Sequence, residues 1–534
     1  MARGARGAVV APHHLATTAG LSVLAAGGSA VDAAIATNAA LAVVMPNGCG
    51  IGGDAFWLIW DATAERELAL NGSGRSAAAT DGAALRARGL AALPLRGGLS
   101  ITVPGAVRSW GDAHERFGRL DVPAVLAPAI ELARKGFPAW DGFIAAVEAT
   151  APILEQEGVD GRSFATVYRP NDRPWRPGEV VRLPALATTL ERLATDGFGA
   201  LYKGDLAKRQ ARTLAAAGCA IDAGDLARHR STWTEPIETT YRGVRVTTHP
   251  PNSSGIVALE ILNILEQFQP RDAIGWIHLG IEASKLAMTE RDGFLCDPAF
   301  RDVPVARLLD KGYAAELARR IDPSSAATPP AATAPRGGGT VYLAVVDAAG
   351  NAVSLIQSNY MGFGSGIVDP DTGIHYQNRG SYFSLDPRRP NVLEPGKRPL
   401  HTLMPGMLFR GDDPAPWVVL GSMGGDAQPQ IHAQVVSALV DRGADIAAAI
   451  GAPRWFVEPR EHYAPPVDVL IEPRFEAGVL EGLAALGHPV TAAEAFDSGL
   501  GHCHAIELVD GGPRDGGSLA AATDPRSAGL PAVR

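Results

Sequence analysis

Apolar positions in the first part of the chain alternate between helical and extended patterns. Leu15 to Met45 reads as two Ala-rich helices divided at Gly27-Gly28. The second opens at Ser29, with Asp32 three residues on, so hydroxyl and carboxylate can each satisfy a backbone N–H of the first turn. Ala55 to Trp60 is a short apolar run that predicts a strand. Segments 122–136, 185–197, 205–217 and 272–294 read as helices, the last with a stripe of Ile277, Ile281 and Leu286. No repeat of fixed period is present.

The pattern breaks at 322–339, where prolines and small residues dominate and apolar periodicity vanishes. That is linker composition and the clearest boundary in the chain. Beyond it, Val341–Val346 and Ala352–Ser358 are β-rich. Asp347-Ala-Ala-Gly-Asn351 joins them as a hairpin turn with Gly350 available for a positive φ. If Asp347 pairs with Asn351, Thr340 lies opposite Ser358; a bulge would shift this by one.

Composition narrows the class. The 534 residues are 46% hydrophobic and 20% charged, an ordinary globular profile that excludes disordered, collagen-like and coiled-coil proteins. The net charge of -9, without a basic stripe, argues against a nucleic-acid partner. The longest apolar stretch, Val31 to Met45, is too short to span a membrane and carries Asp32 and Asn38. The N-terminus lacks a signal-peptide core. Cys49, Cys219, Cys296 and Cys503 are far apart, without CxxC spacing, and are expected as buried thiols in a reducing, cytoplasmic setting.

Thr340 carries the candidate chemistry. Three glycines, 337–339, precede this hydroxyl residue at the first position of a strand. Cleavage of the Gly339–Thr340 bond would free an α-amine with a pKa of ~7.7–8.0. That amine can serve as general base for its own residue's hydroxyl, so no triad histidine is required. Ser358, across the hairpin, can hydrogen-bond Thr340.

Several ordered motifs then match a known family. They include Ala-Gly-Gly-Ser-Ala-Val-Asp-Ala-Ala near the start, Gly50-Ile-Gly-Gly-Asp, Val103-Pro-Gly-Ala-Val and Pro250-Pro-Asn-Ser-Ser-Gly255. Glu282-Ala-Ser-Lys-Leu-Ala-Met-Thr-Glu-Arg-Asp292 follows, then the stretch from Thr340, Gly362-Phe-Gly-Ser-Gly366, Pro399-Leu-His-Thr-Leu-Met-Pro405 and Gly421-Ser-Met-Gly-Gly425. Together they resemble the gamma-glutamyltransferase family of N-terminal-nucleophile hydrolases over nearly the whole chain. The resemblance implies an α/β, four-layer αββα sandwich made as a proenzyme. Cleavage before Thr340 would give a large subunit, 1–339, and a small subunit, 340–534. It implies Thr340 as nucleophile, Ser358 as its supporting hydroxyl, and Gly424 and Gly425 as the backbone N–H pair of an oxyanion hole.

The expected substrate pocket departs from the family's pattern. Positions that grip a glutamyl α-amine read Tyr360, Arg379 and Tyr382, two phenols and a cation that repels ammonium. The family's carboxylate-binding arginine falls near Gly72, with Arg75 three residues on. Its two hydroxyls fall on His401 and Thr402. The stretch from Phe383 to Pro399 is short, which implies a reduced lid. Arg75, Arg379 and His401 are expected to form a cationic pocket for a carboxylate without an α-ammonium, as in the family's oxamate, glutaryl and cephalosporin amide-cleaving branch.

The reading is an autoprocessing amidohydrolase of small-molecule amides that needs no cofactor, nucleic acid or membrane. Assembly into a dimer of heterodimers stays open. A true gamma-glutamyltransferase or glutathione hydrolase is the first alternative, and an uncleaved, non-catalytic family member the second. Gly501-His-Cys-His504 makes an incomplete metal site. Glu282, Lys285, Glu290 and Arg291 are expected as surface ion pairs on one helix.

Overall fold

The computed structural model describes residues 1–327, 339–457 and 469–534. Most of the 322–339 stretch, including Gly337 and Gly338, lies outside the described residues. The fold is α/β, built on two seven-stranded sheets that are antiparallel throughout. One runs Ala532–Val533, Ala8–Val10, Gly339–Val346, Ala352–Tyr360, Asp54–Asp61, Arg66–Gly72 and Thr232–Thr234. The other runs Ala2–Gly4, Ser518–Ala522, Cys503–Val509, Val418–Ser422, Gly406–Arg410, Val244–Thr248 and Ile237–Tyr241.

Both sheets mix strands from either side of position 340. Ala8–Val10 pairs with Gly339–Val346, and Asp54–Asp61 pairs with Ala352–Tyr360. The stretch 322–339 therefore does not separate two independently cored domains.

Alternation along the strands explains why they read as continuous apolar runs. Successive side chains point to opposite faces, and here both faces are covered. From Gly339–Val346, Tyr342, Ala344 and Val346 enter a core shared with Phe56, Leu58, Met407, Phe409, Val419 and Ile506 of both sheets. Val341, Leu343 and Val345 face the other way, into a core with the helices His14–Ala25, Ala30–Val44 and Val122–Lys135. The second sheet sends Leu408, Val418, Leu420 and Ala505 against Gly255–Leu265, Gln428–Val440 and Ile446–Gly451.

Local signals hold where the chain carries its own stop and start chemistry. Ser29 and Asp32 form a reciprocal capping box at the head of Ala30–Val44, and every residue of that helix is buried. Helices Val122–Lys135, Pro184–Asp196, Gly204–Ala216 and Ala273–Phe294 lie at the expected segments. In the last, Ile277 and Ile281 pack on Trp455, Val469 and Ile471, whereas Leu286 faces a different core. All four cysteines are buried free thiols. Among the described residues no helix is long and apolar enough to cross a membrane.

The two sheets approach closely at one glycine. A methyl group at Gly421 would press into the ring of Tyr342, which is fully buried and hydrogen-bonded to Ser354. Overpacking of this kind typically costs ~1–3 kcal/mol. Gly421→Ala should therefore lower the denaturant midpoint by a corresponding amount, measured by tryptophan fluorescence. An unchanged midpoint would show that the sheets can separate freely there.

Candidate active site

The hairpin places Thr340 against Ser358. Asp347 N–H donates to the Asn351 carbonyl, and pairing continues in register from Val346↔Ala352 to Thr340↔Ser358. The register then slips, so Gly339 faces Tyr360. Only glycine fits at 339, because a Cβ there would meet the backbone oxygen of Asn47. Tyr360 sits at φ 76°, a left-handed conformation uncommon for a side-chain-bearing residue, as the strand ends.

The hydrogen bonds of Ser358 form a closed set. Its Oγ accepts the Tyr360 N–H at 2.7 Å and donates its one proton to the Gly339 carbonyl at 2.7 Å. A hydroxyl has a single proton. The 2.9 Å contact between Thr340 Oγ1 and Ser358 Oγ is therefore donated by Thr340. Thr340 is 2% exposed, so these hydrogen bonds sit in a largely dry environment.

Arg379, Tyr360 and Tyr382 come together beside that strand. The Arg379 guanidinium lies 3.9 Å from the Tyr360 ring centroid and 5.4 Å from that of Tyr382. Its Nη2 donates to Thr402 Oγ1 at 3.1 Å. Its Nε and Nη1 are buried and have no acceptor among the described residues, although the side chain is only 1% exposed. Burial pushes its pKa down, opposed by the nearby phenols and carboxylates.

Behind Arg379 is a residue that sequence reasoning did not single out. Asp54 is cross-strand from Ser358, accepts the Gly74 N–H at 2.8 Å and contacts His401 Nε2 at 3.3 Å. Burial pushes its carboxyl up to about 7, against the opposing pull of the Gly74 N–H and Arg379. The available signal was an acid closing a glycine loop at the mouth of an apolar strand.

His401 corrects an expectation. Burial, with Arg379 and His249 beside it, pushes its pKa well below the ordinary value, so it is a neutral imidazole and not a cation. Arg75 corrects another. Its Nη1 donates to the Arg230 carbonyl at 3.2 Å, and it lines a cleft that none of the residues around Thr340 enters. The expected three-cation pocket therefore reduces, beside the strand that carries Thr340, to Arg379.

Gly424 and Gly425 follow the strand Val418–Ser422, with φ of 147° and 55°. Among the described residues no acceptor takes either N–H. The next residue, Asp426, joins this turn to the pocket. Tyr382 donates to Asp426 Oδ1 at 2.6 Å, and buried Arg291 donates to the same oxygen. Arg291 was expected at the surface, as were Glu282 and Lys285, whose 2.6 Å pair is also buried. Charges at helical spacing look alike whether they face solvent or a pocket. Tyr382 also walls a cleft of about 880 Å³ between the segments Gly89–Leu95 and Ser381–Asn391.

One described group has metal-ligand spacing: His278, Glu282 and His488, whose ligand atoms lie within 4.8 Å of one another. Protein partners occupy it. His278 Nδ1 and His488 Nε2 share a 2.7 Å hydrogen bond, and the Lys285 ammonium sits on Glu282. His502 contacts Ser498, and His504 accepts the Asp524 N–H, so the Gly501–His504 motif points into the protein's own hydrogen bonds.

The family profile described as gamma-glutamyltranspeptidase matches residues 16–533, and the chain belongs to that family of enzymes. It is 39% identical over 531 residues to the glutathione hydrolase-like YwrD proenzyme of Bacillus subtilis (strain 168), covering 98% of each chain. It is likewise 39% identical over 540 residues to the oxamate amidohydrolase proenzyme of Klebsiella pneumoniae subsp. pneumoniae, again covering 98% of each. The solved structure of cephalosporin acylase from Bacillus halodurans matches with a TM-score of 0.90 and 39% identity, over 100% of this chain and 96% of that one.

The Asp54 carboxyl gives a signed prediction. Folded Asp54 holds its proton more tightly than the unfolded chain does, so it costs stability as pH rises from about 4 to about 7. Asp54→Asn removes that cost. The variant's stability relative to wild type should rise between pH 5 and pH 8, by ~2–3 kcal/mol, in denaturant titrations. A pH-independent difference would contradict the assignment.

Proposed function

We propose that the chain is an autoprocessing N-terminal-threonine amidohydrolase that cleaves an amide in a small, carboxylate-bearing substrate. The observation that carries this reading is the Ser358 hydroxyl, bonded at once to Thr340 Oγ1 and to the Gly339 carbonyl. In the precursor, Thr340 Oγ attacks the Gly339 carbonyl carbon while the Ser358 proton stabilises the developing oxyanion. The Thr340 hydroxyl proton passes to the peptide nitrogen, which leaves as the Thr340 amine, and water hydrolyses the resulting ester. Residues 1–339 and 340–534 are then separate subunits of one fold. The three cores around two stacked sheets support a four-layer αββα arrangement.

In the mature enzyme, the freed Thr340 amine takes the hydroxyl proton as Thr340 attacks the substrate amide. Gly424 and Gly425 N–H groups hold the oxyanion. Losing one such donor typically costs ~2.7–4 kcal/mol of transition-state stabilisation. The proton passes to the leaving amine, and water resolves the acyl-enzyme. The unused Nε–H and Nη1–H of Arg379 form a fork suited to a carboxylate, with Thr402 and the two phenols fixing the guanidinium plane. The same cation disfavours the α-ammonium of a gamma-glutamyl group. Relatives named for oxamate amidohydrolase and cephalosporin acylase activity support hydrolysis of amides over transfer of glutamyl groups.

Turnover of oxamate, of glutaryl amides and of gamma-glutamyl-p-nitroanilide tests the reading. Carboxylate amides lacking an α-ammonium should give the higher kcat/KM. Preference for the gamma-glutamyl compound would favour a glutathione hydrolase instead. With the preferred substrate, Arg379→Gln should raise KM roughly 10- to 100-fold, as expected for loss of a charged hydrogen bond. An unchanged KM would remove Arg379 from the substrate site.

A further inference from the structure

The cleft that holds Arg75 has its own chemistry. It measures about 290 Å³ and is lined by Arg75, Arg228, His229 and Arg230, with Asp225 at its edge. Arg398 lies against it, its Nη2 donating at 3.0 Å to the same Arg230 carbonyl that Arg75 uses. No residue of the Thr340, Arg379 and Gly424 cluster lines it.

Two buried side chains there carry polar atoms without a hydrogen-bond partner among the described residues. His229 is 3% exposed, and neither ring nitrogen has a hydrogen-bond partner among the described residues. Arg398 is 4% exposed, and its Nε is likewise unpartnered. A buried polar group without a partner costs free energy, so such atoms mark a position that a ligand can complete.

Charge points to the ligand's sign. Four guanidiniums, of Arg75, Arg228, Arg230 and Arg398, face three carboxyl groups, one of which, Asp54, burial pushes toward its protonated form. Asp225 is taken by Arg228 at 2.7 Å, and Asp297 accepts the Arg398 backbone N–H at 2.8 Å. Burial and then the Arg75 charge push the Arg398 pKa down. Burial, followed by Arg398, Arg75, Arg108 and Arg230, pushes that of His229 well down. Burial is the first cause of both shifts, and the neighbouring guanidiniums add to it.

We propose that this cleft is a second, separate binding site for a small oxoanion, a carboxylate or a phosphate. Arg75 and Arg230 supply the outer guanidiniums, while Arg398 Nε–H and the His229 ring supply inner hydrogen bonds. The cleft's volume suits a ligand of a few heavy atoms, since drug-sized ligands occupy ~300–1,000 Å³. Arg75 thus serves this cleft and not the acyl group held beside Thr340.

Isothermal titration of the purified enzyme with inorganic phosphate, and separately with glutarate, tests the proposal without turnover. Glutarate also fits the carboxylate fork of Arg379, so it is titrated into the Arg379→Gln enzyme, where binding to the cleft is read apart from the amidohydrolase reading. At least one of the two should bind at low salt, and the one that binds identifies the source of the oxoanion. Arg75→Gln and Arg230→Gln should each weaken that affinity by about tenfold or more, whereas Arg379→Gln should leave phosphate affinity within about twofold. Arg230 is exposed, so its variant should fold. Its anion-free melting temperature should match wild type while the anion-induced rise is lost. No binding of either anion at about 10 mM would overturn the proposal. So would binding that both cleft variants leave intact, or that Arg379→Gln abolishes.

Discussion

The structure depends on where one proton goes. Ser358 has a single hydroxyl proton and gives it to the Gly339 carbonyl. That commitment makes Thr340 the donor in their mutual contact, and it ties the Thr340 hydroxyl to the Gly339 carbonyl through one side chain. The arrangement tolerates little play, since a hydrogen bond weakens steeply as its geometry opens. Much of the surrounding fold serves to hold these two strands in register.

That register is secured from both faces and from both halves of the chain. The strands Gly339–Val346 and Ala352–Tyr360 are buried on each side, flanked by Ala8–Val10 and Asp54–Asp61. A one-residue slip would turn Tyr342 from the inter-sheet core toward the helices and part Thr340 from Ser358. Because partner strands come from residues on either side of position 340, a break at that bond leaves sheet pairing in place. A proenzyme can therefore be cut at its nucleophile without losing the scaffold that positions it.

Local chemistry was legible in the sequence, and convergence at a distance was not. The hairpin register follows from Asp347, Gly350 and Asn351, because turn residues act on their immediate neighbours. Ser29 and Asp32 announced their capping box for the same reason. The family motifs pointed to Thr340, Ser358 and the glycine pair. The roles of Asp54, Arg291 and Asp426 emerge only when separate segments meet. Arg75 and His401 show the opposite error: both looked like pocket cations, but burial neutralises one and a separate cleft holds the other. Burial depth and the direction a side chain takes decide such cases, and a linear pattern of charges carries neither.

Intact mass of the purified wild-type chain and of Thr340→Ala tests the central claim most directly. The account predicts two wild-type polypeptides, residues 1–339 and 340–534, and a mutant that stays whole. A wild-type chain that remains whole, or a Thr340→Ala chain cut at the same bond, would contradict it. In the first case the Thr340 nitrogen stays locked in a peptide bond and has no basic lone pair to offer.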